Sequence, residues 1–144
     1  MTSKPFRQAV MAIITKEDGT FLLGSSPRDE GYKFPQGGID PGETAQECLK
    51  RELFEELGVL ISDEDILGIL NETISYPYPD YKPYSKIYCG QEMTVFIVKH
   101  NPSFNWTPQD DEFDEMIWIK PEKLIEFNCV YRMPAYQKAL ELWI

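Results

Sequence analysis

Apolar residues run unbroken from Ala9 to Thr15 (AVMAIIT), break at Lys16-Glu17-Asp18-Gly19 and resume from Thr20 to Gly24, which predicts a β-hairpin. A different rhythm follows the glycine-rich stretch after it. Between Thr44 and Leu57 there is no Gly or Pro, Thr44 is a capping residue and Gly58 a left-handed stop, so the spacing predicts a helix. At ~100° per residue, Ala45, Leu49, Leu53 and Leu57 form its apolar stripe. Glu56 falls between Ala45 and Leu49 in angle, and Glu52 lies just beside them. Ile66 to Ile74 reads as a strand. Tyr76 to Tyr84 contains Pro77, Pro79 and Pro83 and reads as an aromatic-rich surface loop. Ile87 to Gly90 and Met93 to Lys99 read as a pair of strands, the second ended by Asn101-Pro102. Glu115 to Ile119 is a further short strand, stopped before Pro121. Pro121 opens a short helix, and Pro134 sits in the first turn of a closing helix whose Tyr136, Leu140 and Trp143 share a face. No repeat, linker or low-complexity segment interrupts this order. Strands flanking one well-marked helix, with a second helix closing the chain, predict a mixed sheet covered on both sides.

Composition narrows the class. With 144 residues, 42% hydrophobic and 13% aromatic, residues 1–144 are expected to form one domain with a real core. No segment approaches the ~20 apolar residues of a membrane-spanning helix, and MTSKPFRQAV lacks the apolar core of a signal peptide, so no membrane partner and a cytoplasmic location are expected. Cys48, Cys89 and Cys129 are far apart and form no CxxC, which reads as reduced core thiols. A net charge of −10 opposes non-specific attraction to nucleic acid, and no DNA partner is expected. A phosphate substrate remains compatible with it, because bound cations can reverse the local sign around clustered carboxylates.

Glu52, Glu55 and Glu56 stand at i, i+3 and i+4 and therefore converge on one side of the predicted helix. For an isolated E-x-x-E-E the ordinary reading is a solvated, salt-bridged face. Here two of the carboxylates point along the buried edge, where a charge must be neutralised, paired with a base such as Arg51 or bound to a cation. Carboxylate oxygens suit Mg²⁺ or Mn²⁺, whereas zinc calls for closely spaced His or Cys, and the chain has one histidine, His100. Upstream, Phe34-Pro35-Gln36-Gly37-Gly38 is a turn-forming run whose glycines allow close backbone approach to metal and phosphate. The Asp40-Pro41-Gly42-Glu43 turn brings Glu43 to the helix N-terminus, where a structural role suits it.

Residues 37 to 59 fit G-x5-E-x7-R-E-U-x-E-E-x-G-U (U aliphatic) at every constrained position: Gly37, Glu43, Arg51, Glu52, Leu53, Glu55, Glu56, Gly58 and Val59. The segment resembles the Nudix box. That resemblance implies the Nudix αβα sandwich, with a mixed β-sheet between helices, and hydrolysis of a nucleoside diphosphate linked to a further group. Phe6-Arg7-Gln8-Ala9-Val10, the run from Tyr32 to Asp40 with its PQGGID core, and Gly90-Gln91 together resemble the bacterial and plant dinucleoside polyphosphate hydrolases, a branch that includes RNA 5′-pyrophosphohydrolases. By this resemblance Glu52, Glu55, Glu56 and Glu112 look like metal ligands for Mg²⁺ or Mn²⁺. Glu55, Glu56 and Arg51 look catalytic, Arg51 by orienting a glutamate. Arg7 looks like a phosphate contact, Lys33, Gln36, Gly37 and Gly38 like substrate-loop residues, and Tyr76 and Phe127 like rings that clasp a nucleobase. Lys33 stands where RNA-processing members commonly carry Gln. Ser25 and Ser26 replace their paired arginines, leaving Arg28 nearby, and Asn128 replaces a base after Phe127. Fewer phosphate-binding cations favour a dinucleoside polyphosphate of the diadenosine tetraphosphate type. The alternatives are the 5′ end of triphosphorylated RNA, a nucleotide sugar or nucleoside triphosphate, and a non-catalytic nucleotide sensor.

Overall fold

The computed structural model describes residues 4–26, 28–109 and 113–144. Its centre is a parallel pair, β1 (Phe6–Thr15) and β7 (Gly90–Lys99), in register from Phe6 opposite Gly90 to Thr15 opposite Lys99. The remaining strands join antiparallel. β2 (Phe21–Ser25) returns from β1, and β3 (Tyr32–Lys33) and β8 (Glu115–Ile119) pair with β2. β4 (Gln36–Gly38) lies along the first half of β1, while β5 (Ile66–Ile69) and β6 (Ile74–Pro77) both pair with β7.

Side chains of β1 alternate between two cores, as a pleated strand requires. Val10, Ala12 and Ile14 meet Leu49, Leu53 and Leu57 of α1 (Ala45–Leu57), and Met11 and Ile13 share the opposite core with Tyr136, Ala139 and Leu140 of α2 (Met133–Trp143). One helix per face gives the expected αβα sandwich. The central strands, covered on both sides, carry near-continuous apolar sequence for that reason.

Four sequence-based expectations change. The run from Ile66 to Ile74 is two short strands with an irregular register at Gly68, not one. The proline-rich segment is not all loop: β6 continues to Pro77, because among the described residues it pairs with β7 alone and leaves its other edge open for a residue without an N–H. Tyr76 is consequently buried. Ile87 to Gly90 and Met93 to Lys99 are not a strand pair. The polar residues Gln91 and Glu92 continue a single strand, while Ile87 is exposed after the 3₁₀ turn of Pro83–Lys86. Cys48 and Cys129 are buried as expected, but Cys89 is exposed.

The site-bearing loops are tied to the far end of the chain by Arg132, which is 2% exposed. Its guanidinium donates to the carbonyl oxygens of Asp29 (2.6 Å) and Glu30 (3.1 Å). Glu30 (φ 54°) and Val130 (φ 51°) both sit in the left-handed region, at about 1–2 kcal/mol each for a residue with a Cβ. Arg132 offsets part of this strain. Replacing it by Met should lower the unfolding free energy in urea by about 1–3 kcal/mol, since two partly buried carbonyls lose their charged donor.

Candidate active site

The glycine loop is hung on the central strand. Ala12 donates its N–H to the Pro35 carbonyl (2.9 Å) and Ile39 donates to the Gln8 carbonyl (2.9 Å), with Gly37 opposite Val10 between them. Gly37 and Gly38 are needed for contact: a Cβ on Gly37 would overlap the Glu52 carboxylate, and one on Gly38 the Arg7 guanidinium. From there the Asp40–Glu43 turn feeds α1. Thr44 caps it, accepting from the Glu47 N–H (3.1 Å), while Glu47 accepts from the Thr44 N–H (2.9 Å). At the other end Gly58 (φ 71°) donates to the Phe54 carbonyl (2.9 Å), and Thr107 and Gln109 donate to the carbonyls of Leu57 and Glu56. The segment that follows the Trp106 region is thereby drawn along the C-terminal end of the box helix.

Arg51 organises the carboxylates. It forks onto Glu43 through Nε (2.7 Å) and Nη2 (2.9 Å), while Nη1 donates to Glu52 (2.9 Å) and Glu55 (3.3 Å). Nη2 also reaches the Gly38 carbonyl (3.0 Å). The hydrogen bonds from Arg51 hold the Glu43 carboxyl down at about 2, well below its ordinary value of 4.5. Behind the loop, the Cys48 thiol lies 3.4 Å from the Gly38 carbonyl; burial and the neighbouring Glu43 and Glu52 push it up to about 12. Glu56 is 0% exposed, the Glu52 side chain 14% and the Glu55 side chain 48%, so the three carboxylates grade from core to solvent.

The donor set fits a hard divalent cation: carboxylates and loop carbonyls, with no imidazole or paired thiol. As placed, however, no three acidic, imidazole or thiol side chains among the described residues converge on one point. Arg51 holds Glu52 and Glu55 on its own guanidinium, and the predicted fourth ligand, Glu112, lies outside the described residues.

Residues 5–139 match the NUDIX domain. The chain belongs to the NUDIX family. It is 32% identical to an RNA pyrophosphohydrolase of Nitratiruptor sp., over 98% of this chain and 95% of that protein. In fold it is similar to the MutT protein of Methanosarcina mazei (TM-score 0.70, 18% identity, covering 98% of this chain and 97% of that one). It is also similar to a C. elegans Ap4A hydrolase (TM-score 0.69, 21% identity, covering 95% and 96%). The protein is a Nudix hydrolase with pyrophosphohydrolases among its relatives.

Within this Nudix site the other predicted residues fall into two groups. Arg7, Gly37 and Gly38 meet at the loop, with the Arg7 guanidinium 4.3 Å from the Tyr84 ring centroid and bonded to Gln91 Oε1 (3.3 Å). Lys33 and Tyr76 are buried, and Gln36 and Phe127 are half-buried against other protein groups. The Gln36 amide donates to the Tyr76 hydroxyl (2.7 Å) and accepts from Tyr136, so it braces β4 from the α2 side. Tyr76 is 4% exposed, and Phe127 packs its ring edge-on against Tyr32 at 5.2 Å. Gln91, which also accepts from the Tyr78 hydroxyl (2.6 Å), and Tyr84 are site neighbours that local sequence reasoning did not single out. The only signal was the Gly90-Gln91 pair.

Lys33 is bonded to Asp29 (2.7 Å). Burial pushes the Asp29 carboxyl up, but Lys33 and Arg28 outweigh it and hold it below its ordinary value of 3.8. A lowered folded-state value stabilises above the unfolded one, so this contribution is complete above pH 3.8 and is lost as pH falls below it. The stability gap between wild type and Asp29→Asn, followed by acid titration and circular dichroism, should therefore close on acidification. A gap independent of pH would remove Asp29 from this role.

Proposed function

We propose that this chain is an RNA 5′-pyrophosphohydrolase that cleaves a phosphoanhydride bond of triphosphorylated RNA with Mg²⁺ or Mn²⁺. The observation that carries the reading is the full-length similarity, at 32% identity, to a protein named RNA pyrophosphohydrolase. The Ap4A hydrolase likeness, at 21% identity, is one of fold. The dinucleotide substrate favoured by the sequence alone is thus the second reading. One observation still speaks for it: Lys33 is bonded to Asp29 and Lys82 to Glu30 (3.1 Å), so the cations that could replace the missing arginines are already paired.

Glu52, Glu55 and Glu56 are the residues that would hold the cation, with Glu112 as a further carboxylate. A bound divalent cation supplies charge stabilisation on phosphate oxygens and acidity to the attacking water. Arg51 keeps Glu52 and Glu55 turned toward the glycine loop, and Gly37 leaves the space that the Glu52 carboxylate fills. Arg7, beside Gly38 and without a carboxylate ion pair among the described residues, faces the substrate phosphates. Glu55, half exposed at the mouth, is placed to take the proton from water and pass it to solvent. Glu56, in the core, acts as a ligand. An RNA substrate also carries a cytoplasmic location with it, where thiols such as Cys48 stay reduced.

The test is a comparison of kcat/KM for triphosphorylated RNA and for diadenosine tetraphosphate under one set of cation conditions. A higher value for RNA supports this reading. A higher value for the dinucleotide returns the assignment to the second one, and no turnover of either favours a nucleotide sensor.

A further inference from the structure

The N-terminal arm and the loop after β6 form a surface unlike the rest of this acidic chain. Lys4 donates its ammonium group to the Ser85 carbonyl (2.7 Å), and Cys89 donates its N–H to the Pro5 carbonyl (2.9 Å), so the arm lies along the loop. This sets Lys4 and Arg7 against the loop that carries Lys86, none of the three with a carboxylate ion pair among the described residues, in a protein of net charge −10. The same loop carries exposed rings: Tyr84 is 47% and Tyr81 67% exposed. Lys82 Nζ lies 5.7 Å from the Tyr81 centroid and 5.8 Å from that of Tyr131, held there by Glu30, which also accepts from the Tyr81 hydroxyl (2.8 Å). The surface is continuous with the active site, because the Arg7 guanidinium that covers Tyr84 also touches Gly38 of the glycine loop.

Cations interleaved with exposed aromatic rings make a surface that suits a single-stranded nucleic acid: ammonium groups follow the phosphates and rings stack on bases whatever their sequence. We infer that Lys4, Lys86, Tyr81 and Tyr84 form a landing surface for the RNA nucleotides that follow the reacting 5′ end. This inference rests on the RNA reading above and extends it from the triphosphate to the strand. It also accounts for how a chain with so few cations near the phosphates can engage RNA: contacts are placed downstream of the scissile group.

The test uses the full chain with Lys4→Glu and Lys86→Glu combined, and Tyr81→Ser separately. Three probes are compared: a 5′-triphosphorylated dinucleotide, a longer unstructured RNA with the same 5′ end, and a 5′-hydroxyl RNA of that longer sequence for binding alone. Charge reversal should weaken binding of the 5′-hydroxyl strand roughly ten-fold or more at low salt and flatten its salt dependence. Tyr81→Ser should weaken it about five-fold or more. Both should lower kcat/KM for the long RNA while leaving the dinucleotide unchanged. Undetectable binding of the strand by wild type, or equal effects on long and short substrates, overturns the inference. The parent reading fails separately: wild type would then bind the strand, and lose that binding on charge reversal, without hydrolysing any triphosphorylated RNA.

Discussion

Glu56→Gln is expected to lower kcat by roughly 10²–10⁴-fold with saturating Mg²⁺ while the protein stays folded. The side chain is isosteric and lies between the helix and the sheet at 0% exposure, so the change removes a charge with little change of shape. A carboxylate in the core of a helix–sheet interface is costly to desolvate, and function is the ready explanation for its being there. Glu55→Gln should also lose activity, by removing the solvent-facing proton acceptor. If both variants keep full turnover, the carboxylate helix is not the reaction centre.

Gly37→Ala is the second large expected effect. The added Cβ would occupy the space of the Glu52 carboxylate, which must then leave the loop and its bond with Arg51. Metal affinity should fall by about 10–100-fold, as when a group that orients a ligand is disturbed. Titration with Mn²⁺ followed by electron paramagnetic resonance reads this without any turnover. Gly42→Ala is the control. Gly42 (φ 81°) has open space around it, so the change costs about 1–2 kcal/mol of backbone strain and should leave Mn²⁺ affinity intact. Equal Mn²⁺ affinity in Gly37→Ala and wild type would mean that Glu52 is not positioned by this contact.

What the sequence made legible was local. The hairpin at Gly19, the cap at Thr44, the stop at Gly58 and the buried side of α1 each depend on residues within a few positions, and each is present in the structure. Angular position alone put Glu56 and Glu52 beside Leu49 and Leu53. The losses came from pairings distant in the chain. Tyr76 was read from its prolines, yet its environment is set by β7 and by the Gln36 amide, 40 residues away. Gln91 and Glu92 look like a break between strands, but β1 and β6 supply ladder partners on either side. Arg132 was not noticed at all, because the carbonyls it binds are 102 and 103 residues upstream. Lys33 was read as a substrate-loop residue, and the carboxylate that holds it lies four residues before it in the Asp29-Glu30 loop.

The Arg51 network carries a corollary for the site. A guanidinium bonded to Glu43, Glu52, Glu55 and the Gly38 carbonyl fixes the helix against the loop, so the carboxylates are oriented by the fold itself. As placed, Glu52 and Glu55 point at the guanidinium, and a divalent cation would have to draw them from it before they converge.

The most direct measurement is product analysis: triphosphorylated RNA is incubated with the wild-type chain and with Glu56→Gln, with Mg²⁺ or Mn²⁺ present and with chelator. Monophosphorylated RNA with release of its terminal phosphates, formed only by the wild-type chain and only with the cation, is the result predicted. An unchanged triphosphate end at saturating cation, or equal conversion by Glu56→Gln, would contradict the account.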